Sequence, residues 1–354
     1  MCGSLDSSKP VTERDYPARL ALRRAQVGVP RSWLQSSLPV VIGLLALVLQ
    51  PTALAEPNEA MRWLQRVADA SQNLSYEGVF VYRHQGNLEA IQVVHRVDEK
   101  GIRERLFSLT GTEREVIRDN EQVTCTLPDS RSVIVDRRSD NNPLAQLVPS
   151  DVEGLSQNYS LHMTGEGRIA GRTAARVSIL PRDQYRFGYQ LWIDQQSGLL
   201  LQAEVFDEEG ASIEQLMFTE LRLPESIPDS QLVSQVVADG FSRFQEEPLK
   251  LSDQAAANWV FEDLPAGFVL ILHELRQMPG NAEPVEHLLF SDGLSNVSVY
   301  IEKADPAESL SGHSALGAVR AYGRSLSPSL QLIAVGEVPL ATVERIALAI
   351  RPDA

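Results

Sequence analysis

Cysteine is almost absent: two in 354 residues, Cys2 and Cys125. A framework of internal disulfides is therefore not how this chain holds its shape. Basic side chains are in deficit, 32 against 47 acidic ones, for a net charge of −15. So acidic a chain repels a phosphate backbone, which argues against nucleic acid as a partner. Histidine is sparse. The six (His84, His95, His162, His273, His287, His313) show neither H-E-x-x-H nor H-x-H spacing, so no metal site is expected. Catalytic motifs are missing as well. Gly165–Gly171 has the spacing G-x-G-x-x-x-G, one residue too long for a dinucleotide loop, and no helical pattern follows it. It predicts a hairpin turn. Gly312–Gly317 (GHSALG) has Leu316 where a nucleophile elbow needs glycine, and predicts a loop. With no nucleophile–base pair to argue from, the expectation is a binding protein without cofactor rather than an enzyme.

A twelve-residue apolar run is present at Leu38–Leu49. A helix needs ~20 residues to cross a bilayer. Arg23, Arg24 and Arg31 precede the run, and Ala53-Leu54-Ala55 follows it. Basic region, short apolar region and small-x-small site together read as a secretory signal cleaved after Ala55, with an N-terminal extension before it. The extension suggests a translation start further along, near Val27 or Val29. Cleavage leaves Cys125, on an alternating strand pattern, as a buried core thiol.

The stretch Arg186–Leu223 organises what remains. Three apolar-rich runs are separated by Gln195-Gln196-Ser197-Gly198 and Asp207-Glu208-Glu209-Gly210. Alternation puts Phe187, Tyr189, Leu191 and Ile193 on one face and Trp192 on the other; Ile213, Gln215 and Met217 oppose Glu214, Leu216 and Phe218. This is an antiparallel meander with large side chains on both faces. Upstream, Glu59–Leu74 has apolar residues at helical spacing behind a candidate cap, Asn58. Short strand patterns follow at 75–83, 90–97, 103–109, 113–118, 121–127, 131–136, 159–164 and 172–180, with an apolar insert at 139–158 that suits a short helix or lid. Residues 224–257, proline-bearing and acidic, read as a linker with a short helix at 230–237. The last part, 258–354, reads as a small α+β domain closed by a helix at 340–350.

Two sets of residues suggest a family. Arg103–Gly111 (RERLFSLTG) continuing through Arg114–Arg118 (REVIR), and Tyr185–Asp194 (YRFGYQLWID) with Ser197–Leu200 (SGLL), resemble the RseB/MucB family, periplasmic regulators of the envelope-stress sigma factor. The resemblance implies an α+β architecture: a large half-open antiparallel β-barrel domain at 56–223 with helices over its concave side, similar to the lipoprotein carriers LolA and LolB, and a small C-terminal domain. It also implies a partner, the periplasmic region of a transmembrane anti-sigma factor, which the family shields from regulated proteolysis. A lipid or lipopolysaccharide-type ligand would release it, and self-association as a homodimer is expected.

Alternation alone nominates Phe80, Tyr82, Leu106, Phe107, Trp192 and Met217 as lipid-pocket residues. Arg103, Arg105, Arg114 and Arg118 are the candidates for meeting anionic groups of a partner, since arginine pairs with carboxylates in a bidentate manner. A periplasmic lipoprotein or lipid carrier is the alternative reading; the second domain counts against it. The export reading has a direct test. Intact-mass measurement of the exported protein is expected to give a mature chain beginning at Glu56, and an N-terminus upstream of Leu38 would contradict it.

Overall fold

The computed structural model describes residues 59–84, 86–120, 122–136, 152–246, 248–249, 259–276, 283–304 and 311–353. The proposed signal segment, Asn58 and the first part of the apolar insert lie outside these residues.

Helix α1 spans Glu59–Asn73 and buries Ala60, Leu64, Val67 and Ala70. That three-to-four-residue spacing makes one apolar stripe, and the stripe is the surface on which a sheet closes. The sheet is built from β1 (Tyr76–His84), β2 (Asn87–Asp98), β3 (Gly101–Ser108), β4 (Glu115–Arg118), β5 (Val123–Leu127), β6 (Ser132–Asp136), β7 (Tyr159–Ile169), β8 (Arg172–Pro181), β9 (Gly188–Asp194), β10 (Leu200–Phe206), β11 (Ser212–Arg222) and β12 (Ser242–Glu246). A short helix α2, Val152–Asn158, leads into β7. The strand order is β12-β6-β5-β4-β3-β2-β1-β11-β10-β9-β8-β7. The two outer strands are not partners, so the barrel stays half open. Bulges at Val79/Phe80, Leu200/Gln202, Val205/Phe206 and Met163/Gly165 bend the strands around the helices.

The C-terminal domain has a seven-stranded sheet. Its order is β13 (Pro248–Leu249), β15 (Val269–Arg276), β16 (Val285–Ser291), β17 (Asn296–Lys303), β20 (Leu330–Gly336), β19 (Val319–Ser327) and β18 (Gly312–Leu316). Helix α3, Leu340–Ala349, follows Pro339 and lays Val343, Ile346 and Ala347 on Leu288, Phe290, Val299 and Leu332. β14 (Trp259–Phe261) and β21 (Ile350–Pro352) pair beside it.

Several expectations need correction. The hairpin turn expected at 165–171 is present but shorter than the glycine spacing suggests: β7 runs to Ile169, and Ala170 and Gly171, both at positive φ, make the reversal into β8. Gly312–Leu316 is an exposed edge strand, not a loop. The helix expected at 230–237 shrinks to one 3₁₀ turn, Asp229–Gln231. The meander is not wholly antiparallel either, because β12, from the proline-bearing segment, pairs parallel with β6. Cys125 is buried as expected, 1% exposed on β5.

One position shows how tightly the meander is drawn. Gly78 faces the β11 backbone, and an added Cβ would collide with the Glu220 carbonyl oxygen. Backbone cannot yield as a side-chain tip can. Gly78→Ala is expected to lower unfolding stability by about 1–3 kcal/mol, measured by urea melts; an unchanged midpoint would refute the packing.

Candidate functional site

Strand register sorts the six pocket candidates into two groups. Phe80 pairs with Ile91 and Phe218, and Leu106 with Val93. Paired residues share a face, so Phe80, Tyr82 and Leu106 look into the hollow. Trp192 pairs with Gln202, Gln202 with Met217, and Met217 with Val81. These side chains lie on the convex side, as does Phe107, which has the Arg105 guanidinium 5.3 Å from its ring centre. Phe80 and Tyr82 are buried; the other four are half-buried.

The hollow is filled beneath α1. Val67, Ser71, Tyr76, Leu199, Leu200, Phe218 and Leu221 close around a void of about 10 Å³, room for one water and not for a hydrocarbon chain. The C-terminal turn of α1 is tied down there by a buried polar chain. His95 Nε2 is 3.1 Å from the Ser71 carbonyl oxygen, and its Nδ1 is 3.2 Å from Glu104. Glu104 also accepts from Arg118 at 3.2 Å, and the Tyr76 ring stacks on His95 at 4.6 Å. Burial, then the Glu104 charge, pushes the Tyr76 hydroxyl well above its ordinary pKa. Burial lowers that of Arg118.

All four nominated arginines engage internal carboxylates. Arg118 holds Glu104, Arg114 donates to Glu89 at 2.6 Å, and Arg105 to Glu115 at 2.6 Å. Arg103 meets Asp98 at 3.1 Å and Asp229 at 3.3 Å. Asp229 belongs to a strap. After β11 the chain crosses the convex face, where Ile227 and Leu232 pack on Val94. Arg96 donates to the Ile227 carbonyl at 2.6 Å and to Asp229 at 2.5 Å. Further on, Ser234 and the Gln235 amide donate to Glu115.

A buried polar cluster lies where the domains meet, at the end of the hollow away from Ser71. Arg186 Nε donates to Asp292 Oδ2 at 2.5 Å, with both side chains fully buried. The Tyr159 hydroxyl donates to the same oxygen at 2.9 Å and lies 3.3 Å from the Ser295 hydroxyl; Tyr189 reaches Ser295 at 3.4 Å. Arg186 also donates to Asp183 and to the Ala266 carbonyl, and its guanidinium lies 5.0 Å from the Phe268 ring centre. Thr342 Oγ1 donates to the Tyr185 carbonyl at 2.8 Å. Two turns of the C-terminal domain enter the apolar core of the large one, through Leu294 and Ala318. Beside them lies a buried carboxylate, Glu214, accepting from the Tyr82 hydroxyl at 3.2 Å and from the Ala318 amide.

Among the described residues no group of His, Cys, Asp or Glu is placed to hold a metal ion. Sequence reasoning missed Asp292, Tyr159 and Glu214. Arg186 and Tyr189 stand in a singled-out stretch, but nothing in their spacing announces partners more than 100 residues away.

Burial pushes the Glu214 carboxyl up to about 7, and the nearby Glu337 charge adds to it, against the hydrogen bonds from Tyr82 and Ala318. Its ordinary value is 4.5. Between these pH values the folded chain holds a proton that the unfolded chain releases, so stability falls as pH rises through that window. The loss at this site is on the order of 3 kcal/mol at most. Glu214→Gln is expected to flatten that fall, with the greater relative gain at pH 8 than at pH 5 in urea melts. Parallel pH profiles for wild type and variant would contradict the assignment.

Known proteins match this chain over 80–84% of its length. The sequence profile of the MucB/RseB N-terminal domain matches residues 59–236, and that of the MucB/RseB C-terminal domain matches residues 253–351. The sigma factor AlgU regulatory protein MucB of Pseudomonas aeruginosa is 34% identical over 307 residues, 84% of this chain and 92% of that protein. The sigma-E factor regulatory protein RseB of Escherichia coli K12 is 27% identical over 289 residues, 80% of this chain and 88% of its own. The solved MucA/MucB complex of P. aeruginosa superposes with a TM-score of 0.66 at 33% identity, covering 84% of this chain and 99% of that one. MucB in complex with MucA(peri) gives 0.64 at 32%, covering 83% and 99%. Matched in both of its domains and over more than four-fifths of its length, this chain belongs to the MucB/RseB family.

Proposed function

We propose that this protein is a periplasmic, non-enzymatic regulator. It binds the periplasmic region of a transmembrane anti-sigma factor, shields that region from regulated proteolysis, and lets go when a lipid-type signal of envelope stress binds. The observation that carries the reading is the likeness, at about one-third identity over both domains, to MucB solved with MucA(peri). The half-open domain supplies a concave apolar wall for a lipid, and the second domain supplies a body whose position a ligand can change.

The physical requirement is differential affinity. A lipid releases the partner only if it binds the partner-free conformation more tightly, and the coupling is reciprocal. Arg103 and Arg114 are the nominated arginines that an acidic partner segment can reach, with side chains 25% and 21% exposed. Arg105 and Arg118 are 7% and 13% exposed and serve the sheet. Phe80, Tyr82 and Leu106 are the pocket candidates on the lipid side; Phe107, Trp192 and Met217 fall on the convex face, where a second copy of the chain in a homodimer is the occupant proposed. The carrier reading is the weaker one, because a carrier must load and unload freely and here the C-terminal domain is inserted into the hollow.

The test combines binding and protection. The mature protein is expected to retain the periplasmic segment of the anti-sigma factor in a pull-down and to slow its cleavage by the regulatory protease. Adding an anionic lipid is expected to reverse both. Absence of binding and protection together would overturn the proposal.

A further inference from the structure

The turn between β16 and β17, Ser291-Asp292-Gly293-Leu294-Ser295, is unusual in one respect. Turn tips face water and carry polar residues. Here Leu294 sits at a tip and is 7% exposed, packed into the other domain's core. One carboxylate does two things to put it there. Asp292 Oδ1 accepts from the amides of Leu294 at 3.0 Å and Ser295 at 2.7 Å, which sets the shape of the turn. Its Oδ2 accepts from Arg186 and Tyr159, which sets where the turn docks. Next to it Ala318, fully buried, fills more of the same end of the hollow.

A negative oxygen on a buried guanidinium, two tyrosine hydroxyls beside it, and an aliphatic group leading inward are what an acyl chain with an anionic head would present. We propose that the Asp292–Leu294 turn is a built-in stand-in for such a ligand, and that the mouth of the hollow is its site: when the turn withdraws, Arg186, Tyr159 and Tyr189 receive the head group and the space left by Leu294 and Ala318 receives the start of the chain. The chemical class is a single-chain acyl lipid with a carboxylate or phosphate head. This rests on the lipid reading above and adds the location, the head-group contacts and the competitor. The other end of the hollow is closed by helix α1 around a void of about 10 Å³, whereas the mouth is filled only by two turns, through Leu294 and Ala318. Withdrawal must therefore accompany binding, and the ligand reports on the position of the C-terminal domain.

The probe is cis-parinaric acid, an acyl carboxylate whose fluorescence rises on leaving water, with its methyl ester as the uncharged form and oleoyl lysophosphatidic acid as the phosphate-headed competitor. Leu294→Ala shortens the stand-in and leaves its ion pair alone; Asp292→Asn weakens the ion pair. Far-UV circular dichroism and a thermal melt establish that each variant is folded. Leu294→Ala is expected to bind the acid roughly tenfold more tightly than wild type, and folded Asp292→Asn likewise. The ester is expected to bind at least fivefold more weakly than the acid. Should Asp292→Asn fail to fold, Leu294→Ala and the ester decide the matter. Competition by the phosphate lipid extends the head-group class to phosphate; its failure narrows it to carboxylates, overturning the phosphate half. Equal affinity of wild type and Leu294→Ala would overturn the stand-in while leaving the lipid reading intact. Equal affinity for acid and ester would overturn the head-group site. No binding to any form would overturn both the site and the lipid reading.

Discussion

The guanidinium of Arg186 and the carboxylate of Asp292 meet at 2.5 Å with neither side chain exposed, and the two domains are joined around that contact. Removing two charges from water is costly, and their attraction repays it only if the remaining donors and acceptors find partners. Here they do. Asp292 takes bonds from a tyrosine and two backbone amides, and Arg186 gives bonds to Asp183 and a carbonyl. Removing one member would strand the other, at about 3–5 kcal/mol by general experience of such pairs. A buried pair of this kind adds little net stability over a well-packed apolar contact, but it accepts one geometry only. Apolar surfaces slide; a guanidinium bound at several points does not. The orientation of the C-terminal domain is therefore specified electrostatically and held by the apolar tips it presses into the barrel.

Much of the fold was legible from residues alone. The α1 stripe, the alternating strands and the closing helix follow from periods of 3.6 and 2, which survive in any environment. Alternation also placed Trp192 opposite Tyr189, Leu191 and Ile193, and Met217 opposite Leu216 and Phe218. What alternation cannot supply is which face meets the interior, because both faces here carry large apolar groups. That is why Trp192 and Met217, nominated for a pocket, lie on the convex side. The same limit applies to Arg105 and Arg118. A charged residue on a strand is usually solvated, and nothing in a single strand reveals that Glu115 or Glu104 waits on the neighbour.

The junction was illegible for a different reason. Asp292 lies in a short polar turn like many others, and its partner is 106 residues earlier. The pairing is a property of how two finished domains dock, not of any local pattern. The strap was misread in an instructive way. Its prolines and acidic residues suggested a free connection, yet Asp229 is held by Arg96 and Arg103, and Ile227 and Leu232 are buried. Composition reports what a segment would do alone in water. It does not report the two arginines lying across the sheet.

That strap continues into β12, which ends at Glu246 on the edge of the large sheet, and β13 begins at Pro248 on the edge of the small one. The C-terminal domain is thus hung from the strand beside β6, while its ion pair is made near β7 and β9, toward the opposite edge of the twelve strands. A body attached along one side and fastened on the other is held at two separate places. Attachment and orientation are thus set by different parts of the chain: backbone pairing of β12 and β13 holds the C-terminal domain to both sheets, and the Arg186–Asp292 contact keeps Leu294 in the large core.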